Sequence, residues 1–213
     1  MKISNLLFGT NIKIPERRED GTYELTDYTL GCLNNFDVGT AGLIRKDIHS
    51  FCRFGGNAKY AGSDLDERMT KIYNSYPDEL KELIIPSTIP LYNGSGAEDI
   101  TRKVFAPTST MVGYGDNEGV EEGLTWPIFT GRNSRKKTFN GSAAYWWLSS
   151  RYSSDYARSV YAGGSAYYYF SPSYSSGVVP AFIIPQSVQI DDTPDNDGSY
   201  RLTMLTAYYN AMG

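Results

Sequence analysis

The chain has very few of the residues from which most catalytic and metal sites are built. Its 213 residues include one histidine, His49, and two cysteines, Cys32 and Cys52. Structural zinc takes four Cys or His ligands, and three such side chains cannot supply them. A Ser-His-Asp triad could draw only on His49, and no G-x-S-x-G elbow accompanies it. Two cysteines make no disulfide framework in a chain of this length, so both read as small buried hydrophobes in preference to a bridge. No apolar run approaches the roughly 18 residues of a membrane span. The segment after Met1-Lys2 is too short and polar-interrupted for a signal peptide, which implies synthesis in the cytoplasm without one. Basic residues are also scarce, with 20 Lys and Arg against 24 Asp and Glu, a net charge of −4. A phosphate-tracking protein would carry a basic stripe, so no nucleic acid is expected as partner.

At 40% hydrophobic and 21% charged residues the chain has the composition of an ordinary folded protein with a sizeable core. Residues 1–38 read as a β-rich segment: Asn11–Ile14 and Thr22–Thr26 alternate around an Asp20-Gly21 turn. A helix is expected over roughly 41–52, with Ile44, Ile48 and Phe51 on one face and His49 beside them as a surface or half-buried side chain. The segment 63–85 is the clearest helical region. Ser63 and Asp66 resemble a capping box, Leu65, Met69, Ile72 and Tyr73 repeat at helical spacing, and Pro77 starts a second short helix. Beyond residue 87 strands and loops take over. Tyr145–Leu148 reads as a buried strand, Ala157–Phe170 as a hairpin about Gly163-Gly164, and Gly177–Ile184 as a near-continuous apolar strand. The acidic run Asp191–Gly198 lacks the ligand spacing of a calcium loop and reads as a turn. Residues 191–213 form a C-terminal extension, which reads as a closing strand or short helix.

Tyrosine is the residue in excess: 18 Tyr against 9 Phe and 3 Trp. Eight of the tyrosines and ten serines fall within residues 145–176, a stretch with no Lys or Glu, one Asp and two Arg. This is the vocabulary of an antibody paratope, in which Tyr supplies large amphipathic contact area at low entropy cost and Ser supplies adaptable hydrogen bonds. On the hairpin, Ser159 and Tyr161 would share one face, and Tyr167 and Tyr169 would share a face opposite Tyr168. A binding face made of one sheet face and its bordering loops is one reading. Half-buried sheet positions that favour Tyr, with Ser filling the turns, is the other.

The ordered motifs Arg102-Lys-Val-Phe105, Asn140-Gly-Ser-Ala143, Tyr145-Trp-Trp-Leu-Ser-Ser150 and Gly177-Val-Val-Pro-Ala-Phe182 resemble a domain-of-unknown-function family common in phages, prophages and gut bacteria. Ile44–Ile48, Gly62–Leu65 and Glu82–Pro86 resemble its upstream half, and the likeness spans roughly 36–190. Two positions depart from its pattern: Ser149 and Val179 stand where the family usually carries Arg. That family resembles the C-type lectin fold in its formylglycine-generating-enzyme-like branch. Some members look like the variable proteins of diversity-generating retroelements, whose mutagenesis rewrites codons near the C-terminus into Tyr, Ser and Asp.

The resemblance implies an α+β, C-type-lectin-like fold, with two main helices packed on short antiparallel strands and hairpins. The lectin-like domain would cover 39–190, with its variable region at 145–176. It makes Tyr152, Ser153, Ser154, Asp155, Tyr156, Ser159, Tyr161, Tyr167, Tyr169, Ser171, Ser173 and Tyr174 candidate ligand-contacting positions. Trp146, Trp147, Leu148, Val160, Val178 and Pro180 match its scaffold. The implied function is recognition without catalysis, metal or cofactor, directed at a protein or glycan such as a host-cell surface receptor. The implied setting is a phage tail tip or prophage adhesin, virion-associated and homo-oligomeric or part of a tail. One alternative is a structural virion subunit that uses the same face for assembly. The other, an enzyme of formylglycine-generating type, is disfavoured because both cysteines precede residue 53, whereas those enzymes use cysteines in the C-terminal half.

Overall fold

The computed structural model describes residues 1–212. In chain order it contains β1 (Asn11–Arg17), β2 (Tyr23–Leu33), β3 (Thr40–Arg45), β4 (Ser50–Arg53), α1 (Asp64–Ser75), α2 (Asp78–Leu83), β5 (Ser87–Tyr92), β6 (Ala97–Arg102) and β7 (Val104–Phe105). After a long loop follow α3 (Arg132–Arg135), β8 (Lys137–Phe139), β9 (Ser142–Ala144), β10 (Trp146–Arg151), β11 (Ala157–Val160), β12 (Tyr168–Phe170), β13 (Ser175–Val178), β14 (Ala181–Pro185), β15 (Tyr200–Arg201) and α4 (Thr206–Met212). No described helix is long and apolar enough to cross a membrane.

The strands form four sheets. One has six strands in the order β15-β1-β2-β3-β14-β7, another has five in the order β12-β11-β10-β13-β4, and β5-β6 and β8-β9 are two-stranded. The architecture is therefore β-rich, with 37% of residues in strands and 17% in helices. This overturns the α+β, C-type-lectin-like expectation of two main helices packed on short strands. Only α1 exceeds seven residues among the described helices. The six-stranded sheet draws strands from all of 1–38, 39–190 and 191–213, because β1 pairs in parallel with β15 and β2 pairs with β3.

The largest local correction lies at 41–52, where β3 and β4 replace the expected helix. Ile44, Ile48 and Phe51 do fall at helical spacing, but the stronger signal is the run Ala41-Gly42-Leu43-Ile44, buried throughout. An unbroken apolar run suits a central strand covered on both faces. Here β3 lies between β2 and β14, with Leu43 opposite Leu30 on one side and Phe182 on the other. His49 sits in the link into β4, half-buried, its Nδ1 2.9 Å from Ser50 Oγ. Loss of solvation lowers its pKa.

The expected strand 177–184 is two strands, β13 in the five-stranded sheet and β14 in the six-stranded one. The chain crosses between sheets at Val179-Pro180, and residues 176–184 are buried along their whole length. This crossing explains a near-continuous apolar run, since both sheets cover it. Ser63 Oγ accepts from Asp66 N (3.1 Å) and so caps α1. The Asp66 carboxylate accepts instead from Gly62 N and from the Arg102 guanidinium at 2.7 and 2.8 Å.

Both cysteines are free. Burial pushes the Cys32 thiol up to about 12 and the Cys52 thiol up to about 11, which suits small core side chains and not nucleophiles. Residues 195–198 turn back on themselves through Asp195 N to Ser199 O and Gly198 N to Asp195 O. Tyr209 anchors α4, its hydroxyl donating to Lys13 O (2.8 Å) and accepting from Leu202 N (3.1 Å).

Candidate recognition surface

The tyrosine-rich segment builds one end of the five-stranded sheet. Trp146 and Trp147 of β10 lie opposite Val160 and Ser159 of β11. Arg158 and Ser159 of β11 in turn lie opposite Tyr169 and Tyr168 of β12. Side chains alternate across a strand, so this register divides the tyrosines between two faces.

On the first face Tyr152 stacks on Tyr169, with centroids 4.1 Å apart and planes 18° apart, and Tyr156 meets Tyr169 edge-on at 5.2 Å. Tyr167 meets Tyr114 edge-on at 4.8 Å. Arg158 joins the two groups, its guanidinium carbon 4.5 Å from the Tyr114 ring centroid and 4.8 Å from that of Tyr152. A cation held against two rings is attracted to both and fixes their planes. On the second face Tyr161 stacks on Tyr168 at 4.8 Å and 20°, and Tyr145 meets Tyr161 edge-on at 4.8 Å. Phe170 bridges Tyr145 (5.1 Å) and Tyr174 (5.4 Å).

A buried polar network supports the first face. Arg158 is 3% exposed. Its Nε donates to Asn117 Oδ1 at 2.6 Å and its terminal nitrogen donates to Glu118 Oε1 at 3.0 Å. Asn117 Nδ2 donates to Glu122 Oε1 and to Arg151 O, at 2.9 and 2.8 Å. Glu122, wholly buried, also accepts from Tyr92 N (2.9 Å) and from the Ser150 hydroxyl. Burial raises the Glu122 carboxyl, while the hydrogen bonds from Ser150, Tyr92 N and Asn117 and the Arg158 charge oppose that rise. Arg135 fastens the β11–β12 connection, donating to Gly164 O (2.9 Å) and Val112 O (3.0 Å).

Two glycines are held by close approach. A Cβ on Gly164, where φ is +86°, would lie 1.8 Å from Arg132 O, and one on Gly177 would lie 2.7 Å from Tyr145 O. Ser149 and Val179, which replace the arginines of the family pattern, are both buried, and Ser149 Oγ has no hydrogen-bond partner among the described residues.

The twelve expected positions separate clearly. Ser154, Asp155, Tyr156, Tyr161, Tyr167, Tyr169, Ser173 and Tyr174 are exposed, with Tyr167 at 74% the most open tyrosine. Tyr152, Ser153 and Ser171 are half-buried. Ser159 is a correction: it is fully buried on β11 between β10 and β12 and cannot touch a ligand from there. The single sheet face is also corrected. Tyr152, Tyr156, Tyr167 and Tyr169 gather on one side, whereas Tyr161 and Tyr174 gather with Tyr145 and Tyr168 on the other.

The sequence reading missed Tyr114, Asn117, Glu118, Glu122 and Arg158, which position the first face. One signal was available: Arg158 is one of only two cations in an aromatic stretch that has a single acidic residue, and such a cation needs a partner. Among the described residues no three His, Cys, Asp or Glu side chains converge as a metal site. A family model described as a domain of unknown function (DUF6273) matches residues 39–186, which include β10 to β14. No curated protein and no solved structure matches the chain.

Proposed function

The chain belongs to the DUF6273 family, and from that premise we propose that it is a non-enzymatic recognition protein whose diversified surface is the β11–β12 edge and its loops. One observation carries this reading. Tyr156, Tyr161, Tyr167, Tyr168, Tyr169 and Tyr174 are all exposed around a three-residue strand, and the face that holds Tyr156, Tyr167 and Tyr169 rests on a buried polar network. Large aromatic rings left in water at a sheet edge do little for the core, whereas Tyr anchors ringed by small polar side chains suit a contact surface. The stacking and the Arg158 clamp pre-order the rings, so binding would fix few further rotamers.

The setting is that of a phage or prophage adhesin, and the partner is a protein or glycan of a cell surface. Exposed positions would vary under retroelement mutagenesis while the buried network stays constant. The test is retention of labelled protein on a panel of intact bacterial cells and on a glycan array. Tyr167→Ala/Tyr169→Ala is expected to weaken binding by about 1–3 kcal/mol with the fold intact. Equal retention of the double variant would remove this face from recognition.

A further inference from the structure

Beyond the recognition reading, we propose that the free edge of β12 pairs antiparallel with the β12 edge of a second copy of the chain. A terminal strand leaves a row of main-chain N–H and C=O groups unpaired, and proteins ordinarily blunt such edges with charge, proline, shortness or a cover.

The other edges of the two large sheets are blunted. In β4, Phe51 packs edge-on against Phe139 of the β8–β9 hairpin at 5.0 Å, and the strand ends at Arg53, which pairs with Asp64 at 3.1 Å. At the outer end of the six-stranded sheet, β15 is two residues long and Arg201 pairs with Asp195 at 2.8 Å. At its other end β7 also has two residues, α1 packs beside it, and the adjoining Ala106 N is taken by the Tyr60 hydroxyl at 3.1 Å. The β12 edge is also short, at three residues, but it carries no charged side chain. Residues 167–171 read Tyr-Tyr-Tyr-Phe-Ser, without charge or proline.

The same segment is complementary to itself. A two-fold axis through Tyr169 sets Tyr169 against Tyr169 and Tyr168 against Phe170 in both directions. Directly opposed side chains share a face, and aromatic pairs across strands are favourable. On the first face the Tyr152–Tyr169 stack would meet its own copy, giving a row of four rings. On the second face Phe170 would meet the stacked Tyr161–Tyr168 pair. No like charges are brought together, and the contact is isologous and closes at two copies. An edge used in this way would join two tyrosine surfaces across a ten-stranded sheet.

Sedimentation of the full chain up to about 0.2 mM reads the association directly. The wild type should approach twice the monomer mass. Tyr169→Lys and Tyr169→Glu should each stay monomeric, because each sets like charges opposite one another, and their equimolar mixture should dimerise again. Tyr169→Cys gives a measurement that does not rely on introduced charge. An antiparallel pair centred there brings the two Cα atoms to about 5 Å, within disulfide reach, so mild oxidation should cross-link that variant rapidly and Tyr156→Cys not.

A monomeric wild type at the highest concentration would overturn the pairing, as would a Tyr169→Lys dimer, a charge-swapped mixture that stays monomeric, or cross-linking no faster at Tyr169 than at Tyr156. A monomer would leave the recognition reading standing. A dimer whose surface fails to bind or to vary would do the reverse.

Discussion

Replacing Arg158 with Met removes the one cation that joins the buried network to the tyrosines above it. The guanidinium lies 4.5 and 4.8 Å from the centroids of two rings, and each such contact contributes about 0.5–2 kcal/mol when desolvated. Its Nε also satisfies Asn117 Oδ1 at 2.6 Å, and Asn117 is wholly buried. An acceptor left unpaired there costs about 1–3 kcal/mol. The bond to Glu118 adds little, because that side chain is 42% exposed and well screened. Together these amount to about 2–7 kcal/mol for Arg158→Met. Arg158→Lys, which keeps the charge but cannot hold ring and amide in one fork, should lose about half as much. Urea unfolding gives the free energies, and the near-UV circular dichroism of the tyrosines reports whether their packing loosens. An Arg158→Met variant within about 0.5 kcal/mol of wild type, with an unchanged tyrosine signal, would refute the positioning role.

Two further predictions concern buried groups. Lys137 is 6% exposed and desolvation lowers its pKa from 10.5 to about 7, its Nζ donating to Arg45 O at 2.6 Å. Between pH 7 and 10.5 the unfolded chain carries a proton that the folded chain has released, so stability rises with pH there. The burden of burial is fully present below pH 7. Relative to Lys137→Met, the wild type should gain about 2–3 kcal/mol between pH 7 and 9 in urea titrations, and a difference independent of pH would contradict the assignment. Gly164→Ala forces a Cβ to within 1.8 Å of Arg132 O at a φ of +86°. It should destabilise the protein by about 3 kcal/mol or more, and a melting temperature equal to wild type would show that this connection can relax.

Local signals made parts of this molecule legible in the sequence. The capping serine of α1, the hairpin of β1 and β2, the β11–β12 hairpin and the apolar β10 all follow from turn residues and periodicity. The tyrosine-rich segment stood out by composition alone, and six of its eight tyrosines are exposed. What failed was long-range. Whether 41–52 forms a helix or two strands depends on Leu30 and Phe182 flanking Leu43, and neither lies nearby in the sequence. The division of the tyrosines between two faces depends on the pairing of β10, β11 and β12. Ser159 looked like its exposed serine neighbours, yet a strand on each side buries it. The Asn117–Glu122–Arg158 network joins a loop to a strand about 40 residues later, and its polar residues resembled those of any solvated loop.

The central claim is that a constant buried frame carries a changeable tyrosine surface, and sequencing this locus across many clonal isolates of one source tests it most directly. The account predicts substitutions at Ser154, Asp155, Tyr156, Tyr161, Tyr167, Tyr169, Ser173 and Tyr174. Arg158, Ser159, Gly164 and Gly177, with Asn117 and Glu122 beneath them, should stay fixed. A segment as constant as the rest of the chain would contradict diversification, and substitutions spread equally over buried and exposed positions would contradict the frame.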